Sequence, residues 1–263
     1  MSAWLLYLAL GAFAGVLAGL LGVGGGLVIV PMLTFIFTSR QMPAEHILHL
    51  ALGTSLASIM FTSISSLRAH HLRGAVEWPV VRRITPGIMA GTFCGSWVAA
   101  QLSTAFLKGF FVAFLYYVAL QMLLNIRPHP HRQLPGRAAM FAAGGVIGGI
   151  SSLVGIGGGS MSVPFLVWCN VAMHNAIGTS AAIGFPIALA GAAGYVFNGM
   201  AVQLPPQTFG FIYLPALLGV SAASMLTAPL GARLAHTLPV SGLKKVFALL
   251  LIVMGTKMLL SLL

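Results

Sequence analysis

Two short glycine runs are the first features of this chain that could do chemistry. Gly22-Val23-Gly24-Gly25-Gly26 is followed by Pro31, and Gly155-Ile156-Gly157-Gly158-Gly159 by Pro164. Glycine reaches positive φ at no steric cost and lets other groups approach the backbone. Such runs inside apolar sequence should break a helix sharply. The N–H groups that open the next helix then lack intrahelical acceptors, and a helix N-terminus favours negative charge. Gly24, Gly25, Gly26, Gly157, Gly158 and Gly159 therefore read as parts of an anion site. The competing reading is tight helix packing, which suits the nearby ridge Gly11, Gly15, Gly19. A nucleotide loop is excluded, because neither run is followed by the Lys-Ser/Thr pair or the downstream acid that such loops need.

A second motif also occurs twice. His49-Leu-Ala-Leu-Gly53-Thr54-Ser55 matches His174-Asn-Ala-Ile-Gly178-Thr179-Ser180. A buried imidazole can donate to an anion or take a proton near neutral pH. The hydroxyls of Thr54, Ser55, Thr179 and Ser180 could add hydrogen bonds, and Asn170 and Asn175 flank the second copy closely enough to line the same site. The structural alternative has each His on a backbone carbonyl and each hydroxyl bonded to its preceding helical turn.

The spacings reveal an internal duplication. The glycine runs and their prolines are offset by 133 residues, the His motifs by 125, and the later pairs Gly95/Gly231, Leu102/Leu238 and Lys108/Lys244 by 136. The order is kept along nearly the whole chain. Residues 1–126 form one copy, 127–137 a linker and 138–263 the other.

The elements that must hold these motifs follow from composition. Of 263 residues, 59% are hydrophobic and 6% charged, with 13 Lys or Arg against two acids, Glu45 and Glu77, and a mean hydropathy of +1.00. A soluble domain carries roughly 25% charge, so the chain reads as an all-α polytopic membrane protein whose first partner is the lipid bilayer. A nucleic-acid partner is not expected, since most of the surface would face lipid. No carboxylate sits mid-segment, which disfavours a carboxylate relay. Cys94 and Cys169 stand alone, so no metal or other cofactor is expected. Five apolar segments per copy are expected, near 3–22, 27–38, 44–67, 84–102 and 106–126, then 138–155, 160–172, 174–197, 208–232 and 241–263. The second in each copy is too short for an easy span and reads as a half-helix or a re-entrant piece.

Lys and Arg gather in cytoplasmic loops. Arg68, Arg73, Arg82 and Arg83 mark one such loop, Arg127, Arg132 and Arg137 another, and Arg233, Lys244 and Lys245 a third. The stretch 198–207 has none and reads as exterior. Matching loops thus face opposite sides. The copies are expected to be inverted repeats with an odd number of crossings each, a plan common in secondary transporters. Both termini are then exterior.

The duplicated glycine and His-x-x-Gly-Thr-Ser motifs, in a chain of this size, resemble the TauE/SafE family of membrane transporters, the sulfite exporters. The resemblance covers essentially the whole chain. It implies a bacterial-type inner-membrane carrier whose substrate is a small sulfur-containing anion such as sulfite, a sulfonate or a sulfoacetate-like compound. An anion channel of the same architecture is the alternative; an enzyme or scaffold fits less well. The sequence leaves a homo-oligomer open. Ser160 and Met161 replace Leu27 and Val28 of the first copy. Ser160 is a candidate helix N-cap, which would make the two half-sites unequal.

Overall fold

A computed structural model describes residues 3–21, 25–124, 133–234 and 240–261. In the first copy lie α1 (Ala3–Leu21), α2 (Gly26–Ser39), α3 (Ile47–His71), α4 (Trp78–Gln101) and α5 (Thr104–Leu123). In the second lie α6 (Arg137–Val154), α7 (Gly159–Trp168), α8 (Met173–Gly199), a two-stranded hairpin of β1 (Thr208–Phe209) and β2 (Ile212–Tyr213), then α9 (Leu214–Leu234) and α10 (Val240–Leu260). Five of these helices, α3, α5, α6, α8 and α9, are long and apolar enough to cross a membrane. The protein is all-α and polytopic.

The short second helices are confirmed as short. At 1.5 Å per residue, the 14 residues of α2 and the 10 of α7 reach about 21 and 15 Å, against a hydrocarbon core of about 30 Å. Both start at a glycine in the left-handed region, Gly25 (φ 72°) and Gly158 (φ 77°). Both also end alike. Gln41 (φ 55°) and Asn170 (φ 63°) follow the last turns. The Met42 N–H then reaches back to the Phe37 carbonyl, and the Val171 N–H to that of Leu166. This is the 6→1 bond of a Schellman ending.

Several boundaries differ from expectation. Helix α4 begins at Trp78, not near 84, because Glu77 stands at its N-cap and Pro79 suits the first helical turn. Arg82 and Arg83 are therefore exposed residues of its second turn and not of a loop. Helix α3 runs on to His71, which brings Arg68 into its last turn. Residues 208–213, expected to be helical, form the hairpin instead, around Gly210 at φ 53°. A Cβ there would collide with the Val196 carbonyl.

Helices pair across the copies. The first helix of each copy lies along the fourth of the other, α1 with α9 and α6 with α4. Glycines allow the approach: a Cβ on Gly11 or Gly15 would strike the α9 backbone at Val220 or Ser224, and one on Gly87 or Gly91 the Phe141 or Gly145 carbonyl. The contacts advance together along both chains, so each pair is parallel. The third helices, α3 and α8, cross at the centre and are the most enclosed of the five membrane-length helices. Here Gly53 meets Tyr195, Leu56 meets Gly191 and Ser63 meets Gly184. One series rises as the other falls, so α3 and α8 are antiparallel. The fifth helices, α5 and α10, pack on each other. Every major pairing recurs when the copies are exchanged.

The register of the central pair can be checked directly. A Cβ on Gly184 would lie 3.7 Å from that of Ser63, within the range of a disulfide. With Cys94 and Cys169 replaced by Ala, Ser63→Cys/Gly184→Cys is expected to form an intramolecular disulfide on mild oxidation, seen by mass spectrometry. Ser63→Cys/Gly194→Cys should stay unlinked, because Gly194 sits against Ser96 of α4.

Candidate functional site

The two glycine turns meet inside the bundle. Gly24 lies outside the described residues. Gly25 caps α2, and its Cβ position is 3.0 Å from the Ala14 carbonyl. A Cβ on Gly26 would collide with the Gly155 carbonyl and lie 2.9 Å from the Ile156 Cα. Ser55 donates to that same Gly155 carbonyl at 2.8 Å. Gly155 closes α6 in the left-handed region (φ 66°). Gly157, Gly158 and Gly159 then turn the chain into α7, all of them buried.

Ser160 is not the N-cap of α7, contrary to the sequence expectation. Gly158 holds that position, with no side-chain cap. Its carbonyl takes the N–H groups of Met161 and Ser162 at 3.0 and 2.8 Å. The turn closes one residue pair earlier than expected because Gly158 adopts the left-handed conformation. Ser160 thus becomes the second helical residue. Its hydroxyl is buried without a hydrogen-bond partner.

The Gly-Thr-Ser segments act first as clamps. The Thr54 hydroxyl accepts the Tyr213 N–H at 2.9 Å, and the Thr179 hydroxyl accepts the Glu77 N–H at 2.9 Å. Tyr213 and Glu77 are themselves 136 residues apart and open the fourth helices. The glycine before each Thr permits this approach. A Cβ on Gly53 would collide with the Phe211 carbonyl, and one on Gly178 with that of Ala75. Ser180 bonds to Ser162 at 2.7 Å, and Ser162 donates to the Gly158 carbonyl at 2.9 Å.

The two His residues are not equivalent in their surroundings. His49 is buried, with Nε2 3.0 Å from the Ala99 carbonyl. That contact requires the proton on Nε2, and Nδ1 is buried without a hydrogen-bond partner. His174 is exposed in the first turn of α8. Asn175 donates to the Glu77 carboxylate at 2.7 Å. Asn170 is exposed in the Schellman ending of α7. Of the sequence-derived residues, the structure gathers Gly26, Ser55, Gly157, Gly158, Gly159, Ser160 and Ser180 around the centre. His49, His174, Asn170 and Asn175 lie toward the helix ends.

A small cavity of about 20 Å³, part of it open, lies where α3 and α8 cross. Thr62, Ser63, Ser66 and Ser180 line it with hydroxyls, Gly157 with backbone, and Ala18, Ile59, Ala181 and Gly184 complete it. None of these is charged. Thr62 also bonds to Ser224 of α9 at 2.6 Å. The sequence reading missed this track, although Ser58, Thr62 and Ser66 recur every fourth residue and so share one helix face. Beyond Ser66, the end of α3 and the end of α9 form a basic depression lined by Ser65, Arg68, Arg73 and Arg233. At the other end of α3 the Arg40 guanidinium donates to the Tyr7 and Tyr213 hydroxyls at 3.3 and 3.2 Å.

A bundle of apolar helices around a small uncharged polar cavity, with two short helices that start at buried glycine turns, is the architecture of a membrane transporter. The chain belongs to the sulfite exporter TauE/SafE family, whose sequence model matches residues 7–258. It is 40% identical to a probable membrane transporter protein of Haemophilus influenzae over 97% of both chains. It is 29% identical to one of Methanocaldococcus jannaschii, over 97% of this chain and 95% of that one. No solved structure matches it.

The clamp generates a stability prediction. Thr54→Val and Thr179→Val each strand a backbone N–H inside the protein, which costs about 1–3 kcal/mol. Each should lower the melting temperature in detergent by roughly several degrees, and Thr→Ser at the same sites should restore most of it.

Proposed function

We propose that this protein is a secondary carrier that exports a small sulfur-containing oxyanion, such as sulfite or a sulfonate, across a bacterial-type inner membrane by alternating access. The observation that carries this reading is the uncharged, hydroxyl-lined cavity at the crossing of α3 and α8, with the second glycine turn in its wall. Hydroxyl oxygens and the backbone of the glycine turn give this passage polar, neutral walls, and the absence of Lys or Arg from this lining favours release as well as binding. Both requirements belong to a carrier and not to a tight binding protein. Transport as the activity is supported by the family and by the names of the relatives.

Inverted topology is part of the same reading. It is supported by the antiparallel crossing of the equivalent helices α3 and α8, and by pairings that recur on exchanging the copies. Such a pair can trade conformations to open alternately to each side. The ends of α3 and α9, with Arg68, Arg73 and Arg233, would be cytoplasmic by the excess of basic residues, with both termini exterior. Anions would then be gathered on the inner face, next to the cavity through Ser65 and Ser66, while Arg40, Tyr7 and Tyr213 close the outer end. That asymmetry favours export.

Proteoliposomes containing the purified chain test this. Labelled sulfite or methanesulfonate should move in a saturable manner and exchange against unlabelled anion on the far side. Gly158→Leu, which places a side chain where Ile187 already packs, should abolish flux in protein that still purifies as a folded species. Flux that rises without saturation and shows no counter-exchange would make the protein a channel.

A further inference from the structure

The two halves meet at the centre with different chemistry, and most of the hydroxyl protons there are already committed. Ser55 donates to the Gly155 carbonyl. Ser162 donates to the Gly158 carbonyl, so the proton between Ser162 and Ser180 must come from Ser180. Ser63 donates to the Met60 carbonyl at 3.0 Å. These donors are spent. Two hydroxyls at the second glycine turn are not. Ser151 is fully buried and Ser160 is 6% exposed, and neither hydroxyl has a partner.

Their placement is specific. Ser151 belongs to α6, and its Oγ lies 3.5 Å from where a Cβ on Gly158 would stand. It is therefore aimed at the start of α7. Ser160 is in the first turn of α7. The N–H groups of Gly159 and Ser160 precede those of Met161 and Ser162, which bond to Gly158. They occupy the position where helix donors have no intrahelical acceptor. The first copy has none of these hydroxyls. At the same offset of 133 residues, Ala18 stands for Ser151, Leu27 for Ser160 and Ile29 for Ser162.

We propose that the anion is held on one side of the pseudo-two-fold only, by the Ser151 and Ser160 hydroxyls and the opening N–H groups of α7, and that this subsite selects a singly charged oxyanion. The proposal rests on the carrier reading above. Desolvation rises with the square of charge, so a dianion costs about four times as much to bury as a monoanion of equal size. Neutral donors return a gain that rises only in proportion to charge. A sulfonate or hydrogensulfite is therefore preferred to sulfate.

Binding of labelled methanesulfonate to the purified full-length protein, with sulfate as competitor, tests this. Ser151→Ala and Ser160→Ala should each weaken binding roughly tenfold or more, the range for a hydrogen bond to a charged group. Without anion their melting temperatures should equal or exceed that of the wild type, since each removes a buried hydroxyl that has no partner. Ser152→Ala, whose hydroxyl is spent on the Gly149 carbonyl, should bind as the wild type does. Sulfate should compete at least tenfold less well than unlabelled methanesulfonate. Unchanged binding in both alanine variants, lost binding with a lowered melting temperature, equal competition by sulfate, or no methanesulfonate binding by the wild type would each overturn the subsite. Saturable flux of the wild type alongside any of those results leaves the carrier reading standing. Binding as expected without flux upholds the subsite and defeats the carrier reading alone.

Discussion

A peptide group without a partner is costly wherever water is scarce, and deep inside a membrane protein the cost reaches several kcal/mol. This chain interrupts its helices twice in the interior, at Gly25 and at Gly155–Gly158. Each interruption must be enclosed by other backbone. That explains why Gly26 lies directly against Gly155, why Ser55 reaches the Gly155 carbonyl, and why α3 and α8 sit at the centre. The Gly-Thr pairs extend the same logic outward, since each Thr hydroxyl satisfies the N–H that opens a fourth helix.

Repeated backbone does not mean repeated chemistry. Both short helices start at a left-handed glycine and end in the same Schellman turn, and both Gly-Thr pairs clamp the opposite copy. Within that common frame the side chains have diverged. The second copy places Ser151, Ser160 and Ser162 around its glycine turn where the first has Ala18, Leu27 and Ile29. The ends diverge as well: Tyr213 anchors Arg40 at one end, and at the matching position Glu77 holds Asn175. A symmetric backbone thus carries asymmetric side chains.

Much of the scaffold was legible in sequence because it depends on local rules. The glycine runs predicted helix breaks, and the spacing of apolar stretches predicted two short second helices. What failed depended on distant neighbours. The α4 boundary was obscured by Arg82 and Arg83, whose charges look like a loop until the helix end is seen to be exposed. The hairpin at 208–213 owes its form to Gly210 against Val196. His49 and His174 share a motif, yet the first is buried against the Ala99 carbonyl, fifty residues away, and the second is exposed. Ser151 carries no motif at all; only the missing partner of its hydroxyl in three dimensions singles it out. Alignment of the repeats reports backbone equivalence, and the environment of each side chain is set by the other copy.

The exchange of first helices has a consequence for how the protein is made. Helix α1 leaves the ribosome before any of its final partner α9 exists, and its face of Gly11 and Gly15 has no tight seat in its own copy. The same holds for α4, which waits for α6. During synthesis these small-residue faces must lie against lipid or provisional neighbours, and they settle only when the second half arrives. The two halves are therefore one folding unit, and separating them into two polypeptides would yield chains that depend on finding each other in the bilayer.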